Sequence, residues 1–303
     1  MARIIAVVVT FNRLQLLQRV ILSLQKQSVT INKIIVVNNG STDGTKEWLD
    51  GQSELHVIHQ ENVGGSGGFY RGIQEASQMD CDWIWCMDDD VFPSENCLET
   101  LLAFADKDEK IGIACPHRLM SGKTFTGEAK TLNLSNPFKD MHDNALMVTD
   151  VESNEVTDIV GMAFEGPLIK KDVVEKIGLP KKELFILYDD TDYSYRAILA
   201  GYRVVVVRDA LMDKYDFQIK TSYREDKMKN KWKLAYHIRN TAYFGHRYGK
   251  NIWVKYLAAM PFILRMYGAI TFNFIKGHKY SFSDYGLFWR MMRRGIREEL
   301  GKM

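Results

Sequence analysis

Cysteine is scarce in this chain. Its four residues, Cys81, Cys86, Cys97 and Cys115, carry no C-x-x-C spacing, which argues against a zinc site and for reduced, partly buried thiols. Net charge is small as well. Forty Lys and Arg against 38 Asp and Glu leave +2, too balanced for a nucleic-acid binder. Long uncharged apolar runs are missing. Ile4–Val9 is too short for a secretory core and no small-residue cleavage site follows it, so it reads as a first strand and a cytoplasmic location is expected. Ile252–Ile275 is apolar and aromatic, but Lys255, Pro261 and Arg265 interrupt it, and no window reaches the ~18 uncharged residues of a spanning helix. The nucleotide signature G-x-x-x-x-G-K-[ST] is absent, and no G-x-G-x-x-G follows the first strand, which excludes a P-loop and counts against NAD. There is neither an internal repeat nor a low-complexity tract.

What is present reads as a folded α/β protein. Hydrophobic residues make up 46% and charged ones 26%, ordinary for a globular chain with a sizeable core. Its 303 residues allow one large domain, or a domain with an appendage. Ile4–Thr10 is a β-branched run suited to a buried parallel strand, and Leu16, Leu17, Val20, Ile21 and Leu24 form a helical stripe over Leu14–Gln27. Strands are expected at Ile34–Val37, Leu55–His59, Trp83–Met87 and Arg203–Val207. Helices are expected at Lys46–Leu49 behind the cap Ser41-Thr42-Asp43, within Gly72–Ser77 after a glycine-rich loop, at Asp172–Ile177 and at Asp189–Leu199. Residues 116–157 read as an irregular excursion or small hairpin. Alternating strands and helices imply a parallel sheet covered on both faces, with ligands outside the carboxyl ends of the strands. Polar clusters occupy those ends: Thr10–Arg13, Asn38–Asp43, Asn62–Gly68 and Asp88–Asp90.

Three consecutive aspartates after an apolar strand repel one another unless a cation joins them, so Mg²⁺ or Mn²⁺ is the natural occupant. In an extended stretch Asp88 and Asp90 point one way and Asp89 the other, which puts the metal on the outer pair. A solvated acidic loop or helix cap before Pro93 is the plainer alternative. Gly64, Gly65, Gly67 and Gly68 let backbone amides approach an anion, with Arg71 close by; a flexible loop and a solvated arginine are the alternatives. In Tyr188–Arg196 a helix starts among carboxylates, which either cap it or include a base for an attacking hydroxyl.

Taken in order and spacing, Val7–Arg13, Val37–Thr45, Asn62–Gly68, Asp88–Asp90, Gly161–Gly166 and Tyr188–Arg196 resemble a family 2 inverting glycosyltransferase of the GT-A fold, over residues 3–215. Asn-x-Gly-Gly-x-Gly-Gly-Phe before a triple Asp is most similar to its galactofuranosyltransferase branch, and rhamnosyltransferase-like members share much of it. The resemblance implies a GT-A domain over 1–215, and the pattern beyond it reads as a helical, basic and aromatic region over 216–303. It implies that Thr10, Phe11, Arg13 and Asn38 surround the nucleobase and ribose, with Asn38 standing where the family usually has Asp. Asp88 and Asp90 match the ends of the D-x-D metal motif, Asp89 lies within it among the donor contacts, and Asp190 matches the general base. Asp213 stands where a metal-binding histidine is common. UDP-galactofuranose is the expected donor, with dTDP-rhamnose as the alternative, and a glycan or lipid-linked acceptor in cell-surface polysaccharide synthesis is the expected partner.

The last ~80 residues are distinctly basic and interleaved with aromatics, as in Lys229–Lys233 and Trp289–Arg294. Such helices suit an anionic membrane surface on its cytoplasmic side, or equally a helical subdomain or an oligomer contact with a second copy. Arg239-Asn240 resembles a family position near donor or acceptor. A sugar nucleotidyltransferase would show a glycine-rich loop after the first strand, which Thr10–Arg13 is not. A silent nucleotide-sugar or glycan-binding module would have little reason to keep both the triple Asp and Tyr188–Arg196.

Overall fold

The alternation along the first strand sets the layering. Ile4, Ala6 and Val8 enter one apolar core while Ile5, Val7 and Val9 enter the other, so every residue of β1 (Ile4–Thr10) is buried. The structure, a computed structural model, describes residues 2–217, 231–275 and 282–303. It divides into two compact units, one of Met1–Lys130, Ala145–Lys182 and Asp189–Phe217, the other of Thr131–Asn144, Glu183–Tyr188 and Gln218–Met303.

In the first unit β1 is followed by α1 (Leu14–Gln25), β2 (Lys33–Asn38), α2 (Thr45–Asp50), β3 (His56–His59), α3 (Gly64–Ser77) and β4 (Trp83–Asp88). Then come β5 (Val91–Pro93), α4 (Cys97–Ala105), β6 (Ile111–Met120), β7 (Lys123–Thr124), α5 (Val148–Ser153), β8 (Val156–Asp158), β9 (Leu168–Lys170), α6 (Lys171–Ile177), α7 (Asp189–Leu199) and β10 (Arg203–Lys214). These ten strands form one mixed sheet in the order β8-β10-β6-β9-β4-β1-β2-β3, with β5 on β10 and β7 on β6. The pairs β4-β1, β1-β2, β2-β3 and β6-β10 are parallel, whereas β9 lies antiparallel between β4 and β6. Helices α1 and α4 cover one face through Leu17, Val20, Leu24, Leu98 and Leu101; α3, α6 and α7 cover the other through Phe69, Ile73, Val173, Tyr193 and Ala197. All four cysteines are free and buried, as expected of reduced thiols.

Two expectations need correction. Residues 116–120 are not irregular but continue β6: Pro116 lies beyond the β9 pairing, which ends at Ile113 and Ala114, and the strand stays paired with β10 through Met120. The glycine run is not a loop either. It forms the first turns of α3, and the reason is packing: a Cβ on Gly68 would lie 2.5 Å from Val9 Cγ1, and one on Gly72 would lie 2.3 Å from Val7 Cγ1. These two glycines let α3 lie directly on β1, while a Cβ on Gly65 would meet nothing within 4 Å.

The second unit contains α8 (Lys231–Tyr248), α9 (Ile252–Leu257), α10 (Met260–Ile275) and α11 (Ser283–Ile296), with a core of Ile238, Ala242, Ile263, Ile270, Phe288 and Met291 among others. Buried Arg239 and Asn240 are consumed by backbone carbonyls: Arg239 donates to those of Glu183 and Leu184, Asn240 to those of Leu184, Ile186 and Leu187. This clamp holds a run in which Phe185, Leu187 and Tyr188 all take positive φ near 68°. Of the basic-aromatic stretch Lys229–Lys233, Lys229 and Asn230 lie outside the described residues.

Candidate active site

Parallel pairing brings the polar ends of β1, β2 and β4 to one edge of the sheet, with Val9 opposite Asp88 and Thr10 opposite Asn38. Asp89 is taken up by the loop after β1. Its Oδ2 accepts from the Thr10 hydroxyl (2.7 Å) and the Phe11 amide (3.2 Å), and its Oδ1 from the Arg13 guanidinium (2.9 Å). Arg13 reaches Asp90 as well, at 3.2 Å. Asp89 therefore shapes the loop whose Phe11 ring stands exposed. Buried Asn38 does the same for the next turn, accepting from the Ser41 amide (3.0 Å) and touching His59 Nδ1 (3.1 Å).

Asp88 and Asp90 face a third carboxylate, Glu165, that no local feature of the sequence marks. One oxygen each from Asp88, Asp90 and Glu165 lies within 4.8 Å of the others, which among the described residues is the sole cluster of three or more such groups. Glu165 arrives through the turn before β9: the Gly166 amide donates to the Cys86 carbonyl (2.9 Å), and Trp85 Nε1 donates to the Gly166 carbonyl (2.9 Å). Gly166 needs φ +97° to do so, a conformation open to glycine. Glu165 also pairs with buried Arg118, which is shared with Glu128, and with Lys214 Nζ at 2.8 Å. Among the described residues of this paired cluster, the five carboxylates Asp88, Asp89, Asp90, Glu128 and Glu165 face the three cations Arg13, Arg118 and Lys214. Two negative charges remain if all are ionised, the charge that one divalent ion neutralises.

The titration of these groups carries the same message. Burial, then the charges of Asp90 and Glu165, push the Asp88 carboxyl well above the ordinary range. Burial would raise Glu165 too, but Arg118 and Lys214 overcome it and hold this carboxyl below its usual value. Hard oxygen donors under mutual repulsion suit Mg²⁺ or Mn²⁺. Asp213 does not join them. It is exposed on β10, and the alternation of the strand turns its neighbour Lys214 toward the cluster instead.

Asp189 and Asp190 open α7. The Asp190 carboxylate accepts from the Thr191 amide at 2.7 Å, and Ser194 ties the helix to the Val160 carbonyl at 2.8 Å. Burial raises Asp190 to about 8, with the charges of Asp189 and Glu165 adding to the push. Burial likewise raises Asp189 to about 6, against hydrogen bonds from backbone amides. Glu165 thus belongs to the carboxylate trio and is felt by Asp190 as well. Arg71 is spent elsewhere, on Glu75 one turn along α3 at 3.0 Å. Of the glycines, Gly64 and Gly65 lie at the amide-rich start of α3, while Gly67 and Gly68 face Val63 and Val9.

The profile of Glycosyl transferase family 2 matches residues 5–164, more than half of the chain. The chain belongs to glycosyl transferase family 2. Among curated relatives of this family member is galactofuranosyltransferase GlfT1 of Mycolicibacterium smegmatis, 27% identical over 213 residues. That match spans 65% of the chain and 65% of the relative's length. In fold the family 2 chain resembles Staphylococcus aureus TarS 1-349 (TM-score 0.57, 14% identity, 98% of this chain and 82% of that one). It also resembles GalNAc-T7 solved with UDP, GalNAc and Mn2+ (TM-score 0.59, 14% identity, 91% and 58%). The mixed, mostly parallel sheet flanked by helices is the GT-A fold expected from the sequence.

Proposed function

We propose that the chain is an inverting glycosyltransferase that moves a sugar, galactofuranose from UDP-galactofuranose, onto a glycan or lipid-linked acceptor. The reading rests on one observation: Glu165 completes a carboxylate trio with Asp88 and Asp90, and its charge also helps raise Asp190. Asp88, Asp90 and Glu165 would hold Mn²⁺ or Mg²⁺, which when bound supplies positive charge against the departing diphosphate. The start of α3 at Gly64 and Gly65 offers further amides to that anion. Asp89 keeps the loop Thr10–Arg13 in place to border the nucleoside, with Asn38 beneath the neighbouring turn. Asp190 takes the proton from the acceptor hydroxyl as that oxygen attacks the anomeric carbon; the C–O bond forms as the bond to the diphosphate breaks on the opposite face, so configuration inverts. The galactofuranosyltransferase name of the relatives supports the sugar. The test is a melting screen with Mn²⁺ and a panel of nucleotide sugars. UDP-galactofuranose should raise the midpoint most, by binding linkage; a larger shift with dTDP-rhamnose, or none with any sugar nucleotide, would reject the donor.

The second unit offers a surface for a lipid-linked acceptor. Ile252, Trp253 and Tyr256 on α9 and Leu264 and Phe272 on α10 are exposed, and from 252 to 275 the sequence carries Lys255 and Arg265 but no carboxylate. Leu264, Gly268 and Phe272 recur every fourth residue, on one exposed side of α10. No helix among the described residues is long and apolar enough to cross a membrane. This combination of apolar and aromatic residues with cations fits the interface of an anionic bilayer. Vesicles containing phosphatidylserine should sediment the protein at low salt, and Trp253→Ser with Leu264→Ser should release it. Binding that is indifferent to both changes, or that neutral vesicles match, rejects this surface.

A further inference from the structure

Among the described residues, Lys214 is the one cation in contact with two members of the trio. Its Nζ lies 2.8 Å from Glu165 Oε1 and 3.4 Å from Asp90 Oδ1, and its side chain is only 14% exposed. The backbone there is fixed: Lys214 pairs with Val91 and with Met120, and the Tyr215 amide donates to the Asp90 carbonyl at 2.8 Å. The ammonium can leave only by swinging on its four-carbon stem. Arg118, which also pairs with Glu165, is buried and split between two glutamates, so its planar fork is a permanent partner. A compact ammonium on a flexible stem is the exchangeable one.

We propose that Lys214 is a built-in counter-cation of the Asp88-Asp90-Glu165 cluster, displaced when a divalent ion binds and then free to pair with the donor's diphosphate. The proposal rests on the reading that this cluster holds the ion. A dication that draws on Asp90 and Glu165 needs the oxygens Lys214 now occupies, and like charges in one partly buried site repel. Lys214 therefore weakens ion binding in the empty enzyme. Once an anionic diphosphate arrives with the ion, the displaced ammonium gains a partner of opposite sign. Lys214 would act as a positioning residue that favours joint binding of ion and nucleotide over the ion alone.

The experiment is Mn²⁺ titration of the donor-free protein, read from the paramagnetic resonance of free Mn²⁺, for wild type, Lys214→Met and Lys214→Arg. Melting curves would verify that each variant folds. The neutral Met variant should bind Mn²⁺ about tenfold tighter, and the Arg variant, which keeps the charge, should stay within about threefold of wild type. With saturating Mn²⁺, the Met variant should bind UDP about tenfold more weakly. Opposite signs for ion and nucleotide are the signature, because a merely structural lysine would weaken both on removal. Mn²⁺ binding to Lys214→Met that is no tighter than wild type overturns the proposal and leaves the metal site standing. If neither wild type nor the Met variant binds Mn²⁺, the cation reading fails and this proposal with it. Should Lys214→Met not fold, an Arg variant that binds Mn²⁺ tenfold tighter overturns the proposal by itself.

Discussion

Asp190→Asn should lose about 10³- to 10⁴-fold in turnover while binding UDP within about twofold of wild type, since an amide keeps the shape of the side chain but cannot take a proton. The carboxylate sits at the start of α7, accepting the Thr191 amide, and Asn can preserve that contact through its carbonyl oxygen. The pH profile gives an independent readout. A base must be deprotonated to act, and burial, Asp189 and Glu165 together raise Asp190 to about 8. Activity should therefore climb with pH well above the ordinary carboxylate range, a limb that reports the group in the enzyme. Asp189→Asn removes the neighbouring negative charge and should move that limb to lower pH. A bound cation would shift it the same way, so profiles are to be compared at fixed Mn²⁺. An Asp190→Asn enzyme retaining a tenth of wild-type turnover, or a wild-type limb below pH 5, would remove Asp190 from the role of base.

How legible such residues are depends on whether the signal is local. β1 and α7 end where the sequence suggests, at Thr10 and at Asp189–Leu199, because an unbroken β-branched run and a capped amphipathic stretch need no long-range information. Asp88 and Asp90 show themselves as carboxylates at the end of an apolar strand. Glu165 gives no such sign. It lies in Phe164-Glu165-Gly166-Pro167, and only the antiparallel insertion of β9 between β4 and β6 carries it to Asp88. Its one trace was an acid beside Gly166, a glycine whose positive φ the sequence does not announce. Lys214 was hidden by the length of β10, expected to end at Val207. Register shifts between Val207 and Leu211 absorb Arg208–Ala210, and the strand then resumes with Lys214 facing the cluster and Asp213 facing out. The glycine run misled differently. Glycine favours loops and anion nests by local propensity, but Gly68 and Gly72 answer to the closeness of β1, a tertiary demand that overrides propensity.

Because the surroundings of Asp88 oppose its ionisation, its replacement should make the metal-free protein more stable and the enzyme nearly inactive. Burial, Asp90 and Glu165 disfavour the ionised carboxyl, and Asn fills the same space without that charge. In excess EDTA at neutral pH, Asp88→Asn should melt above wild type. The pH dependence has a definite sign. The folded carboxyl holds its proton more tightly than the unfolded one, so wild-type stability falls as pH rises above the ordinary carboxylate range, and the variant loses part of that slope. Saturating Mn²⁺ with UDP should reverse the order. Wild type then gains about 2.7 kcal/mol at a hundredfold excess over the dissociation constant, while the variant, short of one of three carboxylates, gains far less. Turnover should fall by at least about 100-fold, since the charge opposite the leaving diphosphate is lost with the ion. The melting midpoints of the two proteins must therefore cross between EDTA and Mn²⁺. Parallel shifts, with Asp88→Asn stabilised by Mn²⁺ as much as wild type, would show that the repulsion among these carboxylates serves no ion, and the acidic trio would lose its place in the reaction.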